Sequence, residues 1–168
     1  MRSNKLMVVA HPDDEAIFGG AQLLKKPGWK VICVTNGDHR VRRREFIKVM
    51  KRAGAAYEIW SFPDQWKGDF DRKALKEKLK KELASHSYKK IVTHNKKGEY
   101  GHTQHIALSQ IMHSLVKKNL HVFKKGKKIM PLTLLKKKLD LLMLYPSQRS
   151  IIEMYKKEIM YEALKKVN

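Results

Sequence analysis

Four short apolar runs, each followed by a segment with helical spacing, limit most strongly how this chain can fold. The runs are Leu6–Ala10, Val31–Thr35, Tyr57–Phe62 and Lys90–His94. Runs this short and this continuous predict strands buried on both faces. The segments near 15–25, 40–53, 70–85 and 103–117 predict the intervening helices. Val41, Phe46, Val49, Met50 and Ala53 are the apolar positions that fit the second, and Gly54 is its expected stop. Phe70, Leu75, Leu79 and Leu83 lie on one side of the third, and Ile106, Leu108, Ile111, Met112 and Leu115 are the apolar positions of the fourth. Alternating strands and helices with short connections predict an α/β fold: a doubly wound, mostly parallel, Rossmann-like sheet with helices on both faces. The ligand site of such a sheet lies beyond the carboxyl ends of its strands.

The pattern changes after residue 118. A short strand is expected at Leu120–Phe123, then two helices near 132–144 and 148–166. The chain therefore reads as one domain over 1–168, with a core at 5–118 and a strand and helical elaboration at 119–168. Leu134, Leu135, Leu139 and Leu142 are the expected core stripe of the first late helix. The lysine runs at 124–128 and 136–138 are expected on the solvated surface.

Charge narrows the partners but not the fold. The 168 residues carry 37 Lys and Arg against 16 Asp and Glu, a formal charge of +21. A hydrophobic content of 42% excludes a disordered basic tail. The charge points to an anionic substrate, a phosphate group, nucleic acid or an anionic membrane surface. Nucleic acid is disfavoured, because lysine outnumbers arginine without interleaved aromatics and no known binding motif is present. The single Cys33 lies in an apolar run and excludes a disulfide framework or a cysteine-rich zinc site. No apolar run is long enough for a membrane span or a signal sequence, so a cytoplasmic protein is expected.

Two turns carry the chemistry. The first strand runs into His11-Pro12-Asp13-Asp14-Glu15, where His11 and Asp14 are spaced to reach one metal ion from a tight turn. The fourth strand is followed by Glu99-Tyr100-Gly101-His102-Thr103-Gln104-His105, with His102 and His105 on one face at a helix start. Both turns fall at the carboxyl edge of the predicted sheet. Two histidines and one carboxylate around an open position suit catalytic zinc, and Fe²⁺ accepts the same donors. Such an ion lowers the pKa of its water and polarises a carbonyl. Asp13, between the two donors, can face that water as a general base. A second, non-ligating histidine can stabilise an oxyanion. The spacing thus suggests metal-assisted hydrolysis of an amide-like bond. Blander readings stand beside this one. Asp13 can cap the following helix, Asp64 can belong to a turn, Tyr100 can pack, and Arg42 can sit on a solvated basic face. Glu15 reads as a helix-dipole residue, and His39 and His94 lie near strand ends.

His-Pro-Asp-Asp-Glu after the first strand, with Gly-His-x-x-His opening a later helix, resembles the PIG-L/LmbE family of zinc-dependent de-N-acetylases. Thr35-Asn36-Gly37, Arg42-x-x-Glu45 with Ala53-Gly54, Asp64, Lys138 and Tyr145-x-Ser147-Gln148 match further family positions. The resemblance implies that His11, Asp14 and His105 are the metal ligands and that Asp13 is the general base. It implies that His102 stabilises the tetrahedral intermediate and assists the departing amine, with Asp64 orienting it. Tyr100 takes the position of a hydroxyl that contacts the oxyanion, and Arg42 that of a substrate-contacting arginine. The implied substrate is an N-acetylglucosamine unit joined to another group, and the positive charge suggests that the conjugate is anionic.

Overall fold

The computed structural model describes residues 3–168. Five strands, β1 (Lys5–Val9), β2 (Trp29–Thr35), β3 (Ala56–Phe62), β4 (Lys90–Thr93) and β5 (Leu120–Lys125), form a parallel sheet. A sixth, β6 (Glu162–Lys166), runs antiparallel to β5, and the strand order is β3-β2-β1-β4-β5-β6. The fold is therefore the doubly wound, mostly parallel α/β sheet that the alternation predicts.

Strand periodicity sorts the core into two layers. Met7, Val9, Val31 and Cys33 face one side, where they pack with residues of α1 (Asp14–Lys25), α2 (Arg40–Ala53) and α6 (Leu132–Leu142). Leu6, Val8, Ile32 and Val34 face the other, against α3 (Arg72–Ser85) and α5 (Thr103–Leu115). Cys33 is fully buried, as its apolar neighbours predict. Gly54 ends α2 in the left-handed conformation at φ 64°, and its N–H bonds to Met50 O and Lys51 O. The helices flip faces between β1 and β4, so a crevice opens at the carboxyl ends of these two strands. The two motif-bearing turns leave the sheet at that point.

The C-terminal segment departs from expectation. In place of one helix over 148–166, a short 3₁₀ turn at Pro146–Gln148 leads into α7 (Arg149–Met154), α8 (Lys156–Met160) and then β6. Glu162-Ala-Leu-Lys-Lys166 has helix-forming composition, but its backbone groups cover the otherwise unpaired edge of β5. The inward face of α6 also differs. Leu139 is 45% exposed, whereas Lys138, expected in solvent, is fully buried. Its ammonium meets Glu162 Oε2 at 2.6 Å, which makes the inward position tolerable for a charge.

Candidate metal centre and catalytic pocket

Strand β1 ends at Val9, and His11 to Asp14 turn tightly into α1. Asp13 sits at the head of α1 with φ 113°, a conformation that L-residues rarely adopt. Its carboxylate makes no capping hydrogen bond; the first-turn N–H groups of Ala16 and Ile17 are met by its backbone carbonyl instead. The capping role is thereby excluded, and the side chain lines the pocket with Oδ2 3.6 Å from Arg42 Nη2.

His11 Nδ1, Asp14 Oδ2 and His105 Nε2 form a nearly equilateral triangle. The edges are 3.3 Å from His11 to Asp14, 3.2 Å from His105 to Asp14 and 3.1 Å from His11 to His105. A four-coordinate zinc ion with bonds of about 2.0–2.1 Å spaces its ligands roughly 3.3 Å apart, so these donors match one face of its tetrahedron. The outer ring nitrogens reinforce the fit. His105 Nδ1 lies 2.8 Å from Glu99 Oε2, and His11 Nε2 lies 2.9 Å from Gln104 Oε1. Protons on those outer nitrogens leave both inner nitrogens with lone pairs aimed at the Asp14 carboxylate. Three acceptors facing one another call for a cation. Burial alone lowers the His11 pKa, but hydrogen bonds to Asp14 and Asp64 bring it up to about 10, so the carboxylates favour positive charge at this position.

Glu99 is the site residue that sequence reasoning passed over. It has φ 58°, within the irregular turn α4 (Gly98–Gly101), and one oxygen holds both His105 Nδ1 and His94 Nδ1, at 2.8 and 2.7 Å. His94 accepts the Ala10 N–H at Nε2, which ties the end of β1 to the end of β4. Gln104 was also missed. Its amide nitrogen donates to Pro63 O while its oxygen meets His11. Positive φ at Glu99 and burial of Gln104 are tertiary outcomes, so no local pattern announces either.

The other expected site residues also gather here. His102 opens α5 with its Nδ1 accepting the Gln104 N–H at 3.2 Å, which places the ring proton on Nε2. Burial, with the charges of His11 and His105, lowers its pKa to about 4, so the ring is neutral near pH 7. Asp64 sits differently from expectation. It contacts His11 at 3.3 Å, Arg42 Nη1 at 3.0 Å and Asn36 Nδ2 at 2.9 Å, and no hydrogen bond joins it to His102 among the described residues. Arg42 spends its guanidinium on Asp64, Asp13 and Pro12 O. Tyr100 lies over the cluster, 5.3 Å from the His105 ring centroid, and is 38% exposed. Glu15 is fully buried and accepts from Tyr145 Oη and the Asp13 N–H. His39 caps α2 rather than entering the pocket.

The open side of the triangle faces a cavity of about 190 Å³. Trp66, 66% exposed, stands at its mouth, with its ring roughly parallel to Tyr100. Tyr155 continues the aromatic wall 4.6 Å beyond Tyr100.

A Rossmann-like sheet with this cluster at its switch point is an α/β fold of the LmbE-like kind. More narrowly, residues 6–116 match the family described as GlcNAc-PI de-N-acetylase, and the chain belongs to that PIG-L family. An uncharacterized protein of Acanthamoeba polyphaga mimivirus is 39% identical over 180 residues, covering 96% of this chain and 79% of its own length. The N-acetylglucosaminyl-phosphatidylinositol de-N-acetylase of Bos taurus is 27% identical over 127 residues, 67% of this chain and 50% of its own. Among solved structures, N,N'-diacetylchitobiose deacetylase from Pyrococcus horikoshii superposes with a TM-score of 0.72 at 16% identity, over 98% of this chain and 84% of that one. The 4-carboxy-2-hydroxymuconate hydratase of Pseudomonas putida gives 0.72 at 17% identity, over 92% and 83%. A hydratase on the same fold shows that chemistry has to be argued from the site. Membership of this family supports a sugar-conjugate de-N-acetylase. Among the described residues no helix is long and apolar enough to cross a membrane.

Proposed function

We propose that this protein is a metal-dependent hydrolase that removes the acetyl group from an N-acetylglucosamine-type sugar conjugate. The observation that carries this reading is the triangle of His11, Asp14 and His105 beside an uncapped Asp13 carboxylate. These three residues would hold a divalent ion, Zn²⁺ by donor type and spacing, with Fe²⁺ acceptable to the same set. When bound, the ion would supply charge to polarise the acetyl carbonyl and to make water acidic near neutral pH.

The chain's own groups do the rest. Asp13 takes the proton of the attacking water and returns it to the departing amine. Burial and the neighbouring Asp14 hold its carboxyl well above the usual range, against the pull of Arg42, which suits a group that both accepts and gives back a proton. His102, neutral with its proton on Nε2, donates a hydrogen bond to the developing oxyanion, and the Tyr100 hydroxyl is a second donor. Asp64 holds His11 and Arg42 in place. Arg42 in turn positions Asp13, so its contact with substrate is secondary. The small cavity accepts one N-acetylated sugar ring, and Trp66 and Tyr155 border whatever is attached to it. Its charged lining is three acids and one arginine, so an anionic group on the conjugate would lie outside it.

Acetate release from N-acetylglucosamine conjugates is expected to stop on chelation and to return with added Zn²⁺. Release that persists after exhaustive chelation would overturn the reading. The Glu99 carboxylate should tune the site. Glu99→Gln is expected to weaken Zn²⁺ binding by about 10- to 100-fold, as loss of an outer partner of a metal-bound histidine typically does. Competition with a chromophoric chelator measures this, and an unchanged affinity would show that Glu99 serves the turn alone.

A further inference from the structure

The catalytic pocket leaves the +21 charge of the chain unexplained, because no lysine lines it. A second and larger cavity, about 650 Å³, lies on the other side of Phe18, which borders both. It opens between the carboxyl end of β4 and the β5–β6 ribbon. Lys96, Lys97, Lys124, Lys125, Lys165 and Lys166 surround it. That is six of its fifteen lining residues, against 29 lysines in the 168 of the chain, so the cavity concentrates lysine well beyond the general excess.

The acids at its wall are already engaged. Glu162 meets Lys138 and the N–H groups of Ala21 and Gln22. Glu99 holds His94, His105 and the Asn95 N–H. Only Glu158 reaches a cavity lysine, Lys125, at 3.9 Å. The other five ammonium groups have no carboxylate within ion-pair distance among the described residues. The rest of the lining is neutral: Phe18, Val122, Phe123 and Val167 are apolar, and Asn95 and His113 add no carboxylate. Several like charges lining one cavity are best relieved by a multiply charged anion.

We infer that this cavity binds a small molecule bearing several phosphate groups, with the phosphates held among the lysines. A nucleic-acid strand fits less well. Strand binding uses exposed aromatic faces for base stacking, and Phe18 and Phe123 are only 5% and 2% exposed. The inference does not depend on the deacetylase reading, because none of these lysines enters the catalytic pocket.

The test uses inorganic tripolyphosphate as the probe, titrated calorimetrically into the full chain at 150 mM salt. Saturable binding at one site is expected. Lys124→Glu with Lys165→Glu, both exposed and on neighbouring strands, should weaken it about tenfold or more. Lys48→Glu with Lys51→Glu, on α2 at the opposite edge of the sheet, makes the same change in net charge and should alter it less than twofold. Acetate release should be unchanged in both. A milder pair, Lys96→Gln with Lys165→Gln, repeats the comparison if the first loses its fold by circular dichroism. Equal weakening by the near and distant pairs, or no saturable binding at all, overturns the site. So does tight binding of a single-stranded oligonucleotide that tripolyphosphate cannot displace, which would assign the cavity to a polymer.

Discussion

Asp13→Asn should keep the fold and the bound divalent ion yet lose about two to four orders of magnitude in acetate release. The substitution is nearly isosteric, and the position favours it. Asp13 has φ 113°, and asparagine tolerates positive φ as well as aspartate does. The backbone carbonyl that meets the Ala16 and Ile17 N–H groups is unaffected, so α1 should start as before. Asp14, not Asp13, belongs to the triangle of acceptors, so metal stoichiometry should stay at one. What disappears is a carboxylate that can take a proton from water and give it to the amine. Metal analysis and single-turnover acetate release on the same preparation separate these effects. Activity within tenfold of the native chain, with metal retained, would remove Asp13 from proton transfer and move that task to His102.

The first two-thirds of the fold was legible because β1, β2 and β4 are buried on both faces; β3, expected to be buried likewise, lies at the sheet edge and is only partly covered. Leu6–Ala10 and Val31–Thr35 admit no polar interruption, and that continuity is what a covered parallel sheet requires. The three metal-facing donors were legible for a related reason. Two turns at the ends of parallel strands must meet at one edge, so local spacing in each turn becomes a shared site. The supporting groups were not legible in the same way. Glu99 reaches His94 and His105 only because its backbone takes a left-handed conformation, and nothing in Lys-Gly-Glu-Tyr-Gly specifies which residue does so. Asp64 was found, but its partners were not. A loop residue's contacts depend on where the neighbouring strand ends, and Asp64 turns to His11, Asn36 and Arg42 instead of His102. The C-terminal segment misled through propensity. Glu, Ala, Leu and Lys favour helix, yet pairing with β5 decides for a strand.

Lys138→Met should cost about 3–5 kcal/mol of folding stability, the usual loss when one partner of a buried ion pair is removed. Both side chains of the Lys138–Glu162 pair are fully buried. The ammonium donates to Ile17 O at 2.6 Å, Ile159 O at 3.1 Å and Glu162 Oε2 at 2.6 Å, which joins α1, α8 and β6 to α6. Glu162 returns to α1 by accepting the N–H groups of Ala21 and Gln22. Ile17 O and Ala21 N–H are the groups that an α-helix joins to each other, so the ion pair supports one turn of α1 from outside. Gly20 makes room for it: a Cβ there would lie 3.1 Å from Lys138 Cγ and Cε. Methionine would fill the volume but leave the Glu162 carboxylate buried without a cation. Lys138→Met combined with Glu162→Gln should therefore recover part of the loss, since the amide oxygen still accepts from α1 and no charge is stranded. Urea denaturation of the two variants provides the comparison. A single variant less than 1 kcal/mol below the native chain would mean that packing, not the charge pair, holds α1 against the late strand. The effect should extend to the metal centre, because Asp13 and Asp14 stand on the first turn of that helix. Zn²⁺ affinity is expected to fall in the single variant and to return toward the native value in the double.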